Sequence, residues 1–156
     1  MAQERPLTPE KQLLNLIENP KAKPAAAVGL HYNLDNAVVA NSFDAHRLSH
    51  LATEKGLGDK AEEALFNAYF TRGKNIADHE TLIDLGVEVG LDADEIKRVL
   101  TTDTYADAVK RDVEEAQYLG IRGVPFFVVD GKYAVSGAQP VEVFLETLVK
   151  AQEASV

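Results

Sequence analysis

The sequence predicts a mostly α chain that closes with a β-hairpin and one further helix. Three observations carry this. Between Asn41 and Gly120 apolar residues recur at helical spacing, in segments separated by short glycine-bearing joints. At Phe126 the period changes, and Phe126-Phe127-Val128-Val129 forms a continuous apolar run, the pattern of a strand buried on both faces. Asp130-Gly131 follows at once, the strongest short hairpin signal in the chain, and Tyr133-Ala134-Val135 returns as the second strand.

Taken in order, Thr8-Pro9-Glu10 marks a helix start, with Leu13, Leu14, Leu16 and Ile17 as its apolar face and Asn19-Pro20 as its end. Lys21 to Ala27 reads as a weakly patterned connector, and Val28 to Leu34 as a strand or extended loop. Asn41-Ser42 caps a helix that buries Phe43, Leu48, Leu51 and Ala52 and stops at Gly56. A second helix runs from about Asp59 to Thr71 and turns Ala61, Leu65, Ala68, Tyr69 and Phe70 inward. Asp78 caps a third, carrying Leu82, Ile83, Leu85 and Val89 and ended by Gly90. Asp92 with Glu95 three residues on is a capping-box-like start for a fourth, with Ile96, Val99 and Leu100 inside. Thr102 or Asp103 opens a long fifth helix that includes Tyr105, Val109, Val113 and Leu119 and closes at Gly120. After the hairpin, Pro140 starts a last helix with Val143, Phe144, Leu145, Leu148 and Val149.

Composition narrows the function. The chain has 156 residues, 46% of them apolar, an ordinary globular balance. A formal net charge of −9 argues against a nucleic-acid partner and against adhesion to anionic membranes, both of which rest on clustered Lys and Arg. The first residues are polar, and no apolar run approaches a membrane span, so the expectation is a cytoplasmic protein. There is no cysteine, which excludes disulfides, thiolate catalysis and thiolate zinc sites within this sequence. No cofactor motif is present: Gly120 and Gly123 sit in neither a GxGxxG nor a GxxxxGK pattern.

Gly123-Val124-Pro125-Phe126-Phe127, the hairpin after it, and Ser136-Gly137-Ala138-Gln139-Pro140 together resemble the C-terminal half of DsbA-family thioredoxin-like proteins. The pattern is most similar to the FrnE-like dithiol–disulfide isomerases. Asn41-Ser42-Phe43-Asp44-Ala45-His46-Arg47-Leu48 resembles that family's lead-in to its helical insertion, and Ala68-Tyr69-Phe70-Thr71 and Leu119-Gly120-Ile121 fit as well. The resemblance implies an α/β thioredoxin-like fold with a helical insertion, represented here without the N-terminal unit that bears C-x-x-C. The chain is mostly α as a result, and Met1-Ala2-Gln3 reads as an internal start. The implied organisation is an N-terminal helix and connector over 1–40, the insertion over 41–119, and the thioredoxin-like half over 120–156. The resemblance also makes Val124–Pro125 a cis peptide, the isomer that is essentially confined to proline. It makes Val124 and Pro125 the substrate-binding residues, whose backbone pairs with an extended peptide or with glutathione. No residue inherits the part of a catalytic cysteine.

The remaining polar residues have ordinary explanations. His46 and His50, four apart on a helix, are two ligands at most and make no metal site by themselves. His46 groups more naturally with Asp44 and Arg47 in a capping cluster at the helix start. Tyr69, Phe70 and Tyr105 belong to the core, and Glu62-Glu63 and Glu114-Glu115 to solvated faces.

The functional expectation is a DsbA/FrnE-like dithiol–disulfide oxidoreductase or isomerase, catalytically silent as this chain. One alternative is a cysteine-free peptide-binding or oligomerising module. Another is a glutathione-dependent non-redox isomerase or transferase relative, disfavoured because its serine nucleophile would lie in the same unit as the cysteines. Without a neighbouring strand, Phe126 to Val129 is left with an unpaired edge, and exposing three or four such side chains forfeits roughly 5–10 kcal/mol. The expected remedies are a homo-oligomer through this strand, a partner chain, or cover from Leu13 to Leu34.

Overall fold

The computed structural model describes residues 22–154, so the helix expected from Thr8 to Ile17 lies outside the described residues. The chain divides into two units, Met1–Val109 and Lys110–Val156.

The first unit is helical. It comprises α1 (Ala22–Ala27), a 3₁₀ turn (Leu34–Asn36), α2 (Phe43–Glu54), α3 (Gly58–Phe66), a π turn (Asn67–Thr71), α4 (His79–Val89) and α5 (Ala93–Thr101). The stretch expected as a connector is therefore partly helix. Four of the six residues of α1 are alanine, the best helix former, and Pro24 falls in the first turn, where a missing N–H costs no hydrogen bond. Val28 to Leu34 takes the extended-loop alternative, and Tyr32 stacks on Phe70 with ring centroids 5.0 Å apart.

The core lies where α2 meets α3, α4 and α5, with Leu48, Leu51, Leu82, Ile96 and Val99 fully buried. Gly86 sets how closely α4 approaches. A Cβ placed there would stand 2.5 Å from Ile96 Cδ1 and 3.3 Å from Leu48 Cδ1. Helix ends follow the sequence signals. Asp78 Oδ2 accepts from Thr81 N–H at 2.9 Å, and Gly90 ends α4 at φ 105°. Asp92 Oδ1 accepts from the N–H groups of Asp94 and Glu95 at 3.1 and 2.9 Å. The reciprocal half of the capping box is not made. Glu95 instead binds Lys55 at 2.8 Å, a partner on the chain beyond α2 that offers a full opposite charge.

Arg47 is buried and bridges three elements. It donates to the carbonyls of Val99, Thr102 and Thr104 around the end of α5, and to Asp44 Oδ1 at 2.8 Å. His79 Nε2, at the start of α4, lies 2.9 Å from Asp44 Oδ2. His46 is thus not a member of the cluster expected for it. At i+2 from Asp44 it points to another face of α2, and the histidine that reaches Asp44 comes from a different helix.

The fifth long helix, α6 (Ala106–Tyr118), starts later than its sequence pattern suggests. Tyr105 takes a left-handed φ of 63°, which blocks earlier helical turns, while its hydroxyl donates to Glu54 at 2.6 Å. That hydrogen bond, then burial and the Glu54 charge, push the phenol up to about 12. Val113 and Leu119, apolar positions of the expected helix, are exposed. Ile121 N–H bonds back to Ala116 carbonyl at 2.9 Å across Gly120, at φ 70°, to close the helix.

In the second unit, β1 (Phe126–Val129) and β2 (Tyr133–Ser136) form a two-stranded antiparallel sheet, followed by α7 (Val141–Ala154). The register pairs Phe126 with Ser136, Phe127 with Val135, Val128 with Ala134 and Val129 with Tyr133. Asp130 and Gly131 both have positive φ, 52° and 65°, as the two central positions of a type I′ turn require. Lys132 N–H closes that turn on Val129 carbonyl at 3.1 Å. Helix α7 packs on the sheet through Phe144, edge-on to Phe127 at 5.0 Å, and Val135 is buried.

The strand run is not buried on both faces. Phe127 is 43% and Val128 41% exposed, and on α7 the apolar Leu145 and Leu148 are 62% and 55% exposed. A two-stranded sheet under one helix has too little surface to cover these side chains.

Candidate substrate-docking site

The hairpin and the turn before it hold the two residues the sequence singles out. The Val124–Pro125 peptide bond is cis. Pro125 carbonyl accepts from Gly137 N–H at 2.8 Å, so the pairing of β1 with β2 extends one step beyond the strand. This bond fixes the phase of the ladder. In an antiparallel pair, alternate residues turn their N–H and C=O toward the partner strand. Pro125 and Phe127 therefore face β2, and Phe126 and Val128 turn their backbone groups to the other edge, with Val124 just before them in the chain. No third strand pairs with that edge among the described residues. Val124 is 91% exposed, and its backbone N–H and carbonyl make no hydrogen bond among the described residues. Gln139 pins the far end of β2, its Nε2 donating to Ser136 carbonyl at 2.9 Å. The result is a fixed row of backbone donors and acceptors beside the apolar side chains of Val124 and Val128. Such an edge binds extended chains by adding a strand.

The signature of the DSBA-like thioredoxin domain matches residues 14–149. The chain belongs to this family. The crystal structure of a probable DsbA oxidoreductase from Streptomyces coelicolor superposes on this DsbA-like chain with a TM-score of 0.81 and 40% identity, covering 94% of this chain and 63% of that one. The uncharacterized protein YwbO of Bacillus subtilis strain 168 is 35% identical over 108 residues, 67% of this chain and 52% of its own length. The DsbA-like chain thus spans about half the length of the curated relative it matches. It is a DsbA-like thioredoxin-domain protein without cysteine. Among the described residues no helix is long and apolar enough to cross a membrane.

The other sequence candidates scatter. His50 stacks on Tyr105 with centroids 6.0 Å apart, whereas His46 lines a pocket between α2 and α3. Among the described residues no group of three or more His, Asp or Glu side chains is arranged to hold a metal ion. The pocket was missed in the sequence. It lies between α2, α3 and the π turn, encloses about 290 Å³, and is lined in part by Ser42, His46, Ser49 and Glu62. Its signal was present in the i, i+4, i+7 spacing of Ser42, His46 and Ser49, a polar stripe along one side of a helix.

Proposed function

We propose that this chain is the substrate-docking part of a DsbA/FrnE-like dithiol–disulfide oxidoreductase or isomerase. The observation that carries this is the β1 edge at Phe126 and Val128, unpaired among the described residues, preceded by the exposed Val124 and held in register by the bond between Pro125 and Gly137. An extended peptide laid along that edge pairs its backbone with Val124 and rests its side chains on Val124 and Val128. Glutathione, itself a short peptide, uses the same backbone groups. Thiol–disulfide exchange needs a thiolate to attack a disulfide sulfur, and this chain has none to offer. Its own part is therefore to bind and orient the substrate. Family membership and the 40% identity to a probable DsbA oxidoreductase support the assignment.

The test is a titration of isotope-labelled protein, followed by amide NMR, with an extended peptide rich in Val and Thr and, separately, with oxidised glutathione. Saturable shifts concentrated at Val124, Phe126 and Val128 are expected, with the α2–α5 amides still. Shifts confined to the helical unit, or none with either probe, would refute the proposal.

A second reading, an oligomerising module, is favoured by the apolar exposure of Val128 on this strand and of Leu145 on α7. Two copies joined edge to edge would pair β1 with β1. Sedimentation over a concentration series should then show a dimer that Val128→Lys weakens at least tenfold, since an edge lysine opposes strand pairing. A monomer at every concentration rules this out.

A further inference from the structure

We infer that the pocket between α2, α3 and the π turn binds a compact apolar amine in its protonated form. This is independent of peptide docking at the hairpin, because every residue involved lies in the helical unit.

The pocket arises from three local patterns. Along α2, Ala45, His46 and Ser49 reach one side at helical spacing. Glu62, Leu65 and Phe66 do the same from α3. The chain then passes into the π turn, where Arg72 N–H reaches Asn67 carbonyl at 2.9 Å, five residues back. That one-residue expansion brings Tyr69 and Phe70 to the same wall in succession. Such turns recur at functional sites because they redirect side chains that a regular helix would spread round its axis.

The polar groups here are short of partners. Ser49 Oγ is buried and makes no hydrogen bond among the described residues, a condition folded proteins seldom leave standing. Glu62 is half-buried, yet among the described residues it forms none of the ion pairs that Glu95 and Glu88 form elsewhere in the unit. No lysine or arginine is among the residues lining the pocket, and Arg47 on the same helix is committed to Asp44 and to the carbonyls around the end of α5. A carboxylate without a cation, a hydroxyl without a partner, and the rings of Phe66, Tyr69 and Phe70 form a site for an ammonium group on an apolar body. The carboxylate gives a charge-assisted hydrogen bond, and ring faces attract cations. Leu65 and Ile76 cover the apolar part. About 290 Å³ is at the small end of ligand pockets, which sets the size of the guest. An anionic ligand of the same shape would meet Glu62 with no compensating charge. The net charge of −9 also favours the approach of cations.

Calorimetry with three probes of one shape tests this: phenethylamine, 2-phenylethanol and 3-phenylpropanoate. The amine should bind roughly tenfold more tightly than the alcohol, and the carboxylate should not bind measurably. Glu62→Gln should weaken the amine roughly tenfold and leave the alcohol unchanged. Ser49→Ala keeps the test sharp against a purely structural role. Removing an unpartnered buried hydroxyl should raise the melting temperature of the free protein while it weakens amine binding. Equal binding of amine and carboxylate, an amine affinity indifferent to Glu62→Gln, or no binding of the amine would each overturn the proposal.

Discussion

Asp44 holds two partners with one carboxylate, Arg47 of its own helix at 2.8 Å and His79 at the start of α4 at 2.9 Å. Burial works against its ionisation, but the hydrogen bonds from His79 and Arg47 outweigh burial and hold the carboxyl below its ordinary value of 3.8. A carboxyl whose folded value is depressed stabilises the fold above its unfolded value, and that contribution fades as pH falls through the folded value. The fold should therefore lose stability as pH drops below about 3.8. Asp44→Asn should flatten that acid limb and cost about 1–2 kcal/mol at neutral pH, measured by urea titration across pH. At this scale the sequence was half legible. The Asp44–Arg47 pair sits at i, i+3 and can be read directly, but His79 is 35 residues away and reaches Asp44 only through the packing of α4 on α2. Val124 and Pro125 were singled out by the family resemblance of Gly123-Val124-Pro125-Phe126-Phe127 and not by any local signal of their own.

Helices α2 to α5 were readable because each brackets its apolar stripe with a local stop or start signal, as Asp78, Gly90 and Asp92 do. Where such a signal is missing, boundaries drift. The start of α6 depends on the left-handed turn at Tyr105, a residue with no intrinsic preference for it, held by Glu54 from the end of α2. The π turn likewise has no composition that announces it. Close contact between helices is also invisible in a one-dimensional pattern, and Gly86 is its clearest case. It reads as a weak spot in α4 but is the point where Ile96 and Leu48 touch the backbone. Gly86→Ala gains about 1 kcal/mol of helix propensity, yet it forces Ile96 from its place, and overpacking costs about 1–3 kcal/mol. A net loss of stability of about 1–2 kcal/mol in chemical denaturation is the expected result.

Among the described residues, the first unit holds the well-covered core, whereas the second leaves much of the apolar surface of its strand and helix exposed. The run Phe126 to Val129 has the sequence of a central strand, yet among the described residues only β2 pairs with it. Period and composition report what a strand is made for, and they cannot report whether its neighbour belongs to the same polypeptide. The phase of that edge has one more consequence. Phe127 turns its amide toward Val135, while the amides of Phe126 and Val128 face away from β2. Deuterium uptake along β1 should therefore alternate, slow at Phe127 and fast on either side of it. Whatever settles along the strand will slow the fast positions first, so the two outward amides act as a built-in occupancy gauge for the proposed docking edge.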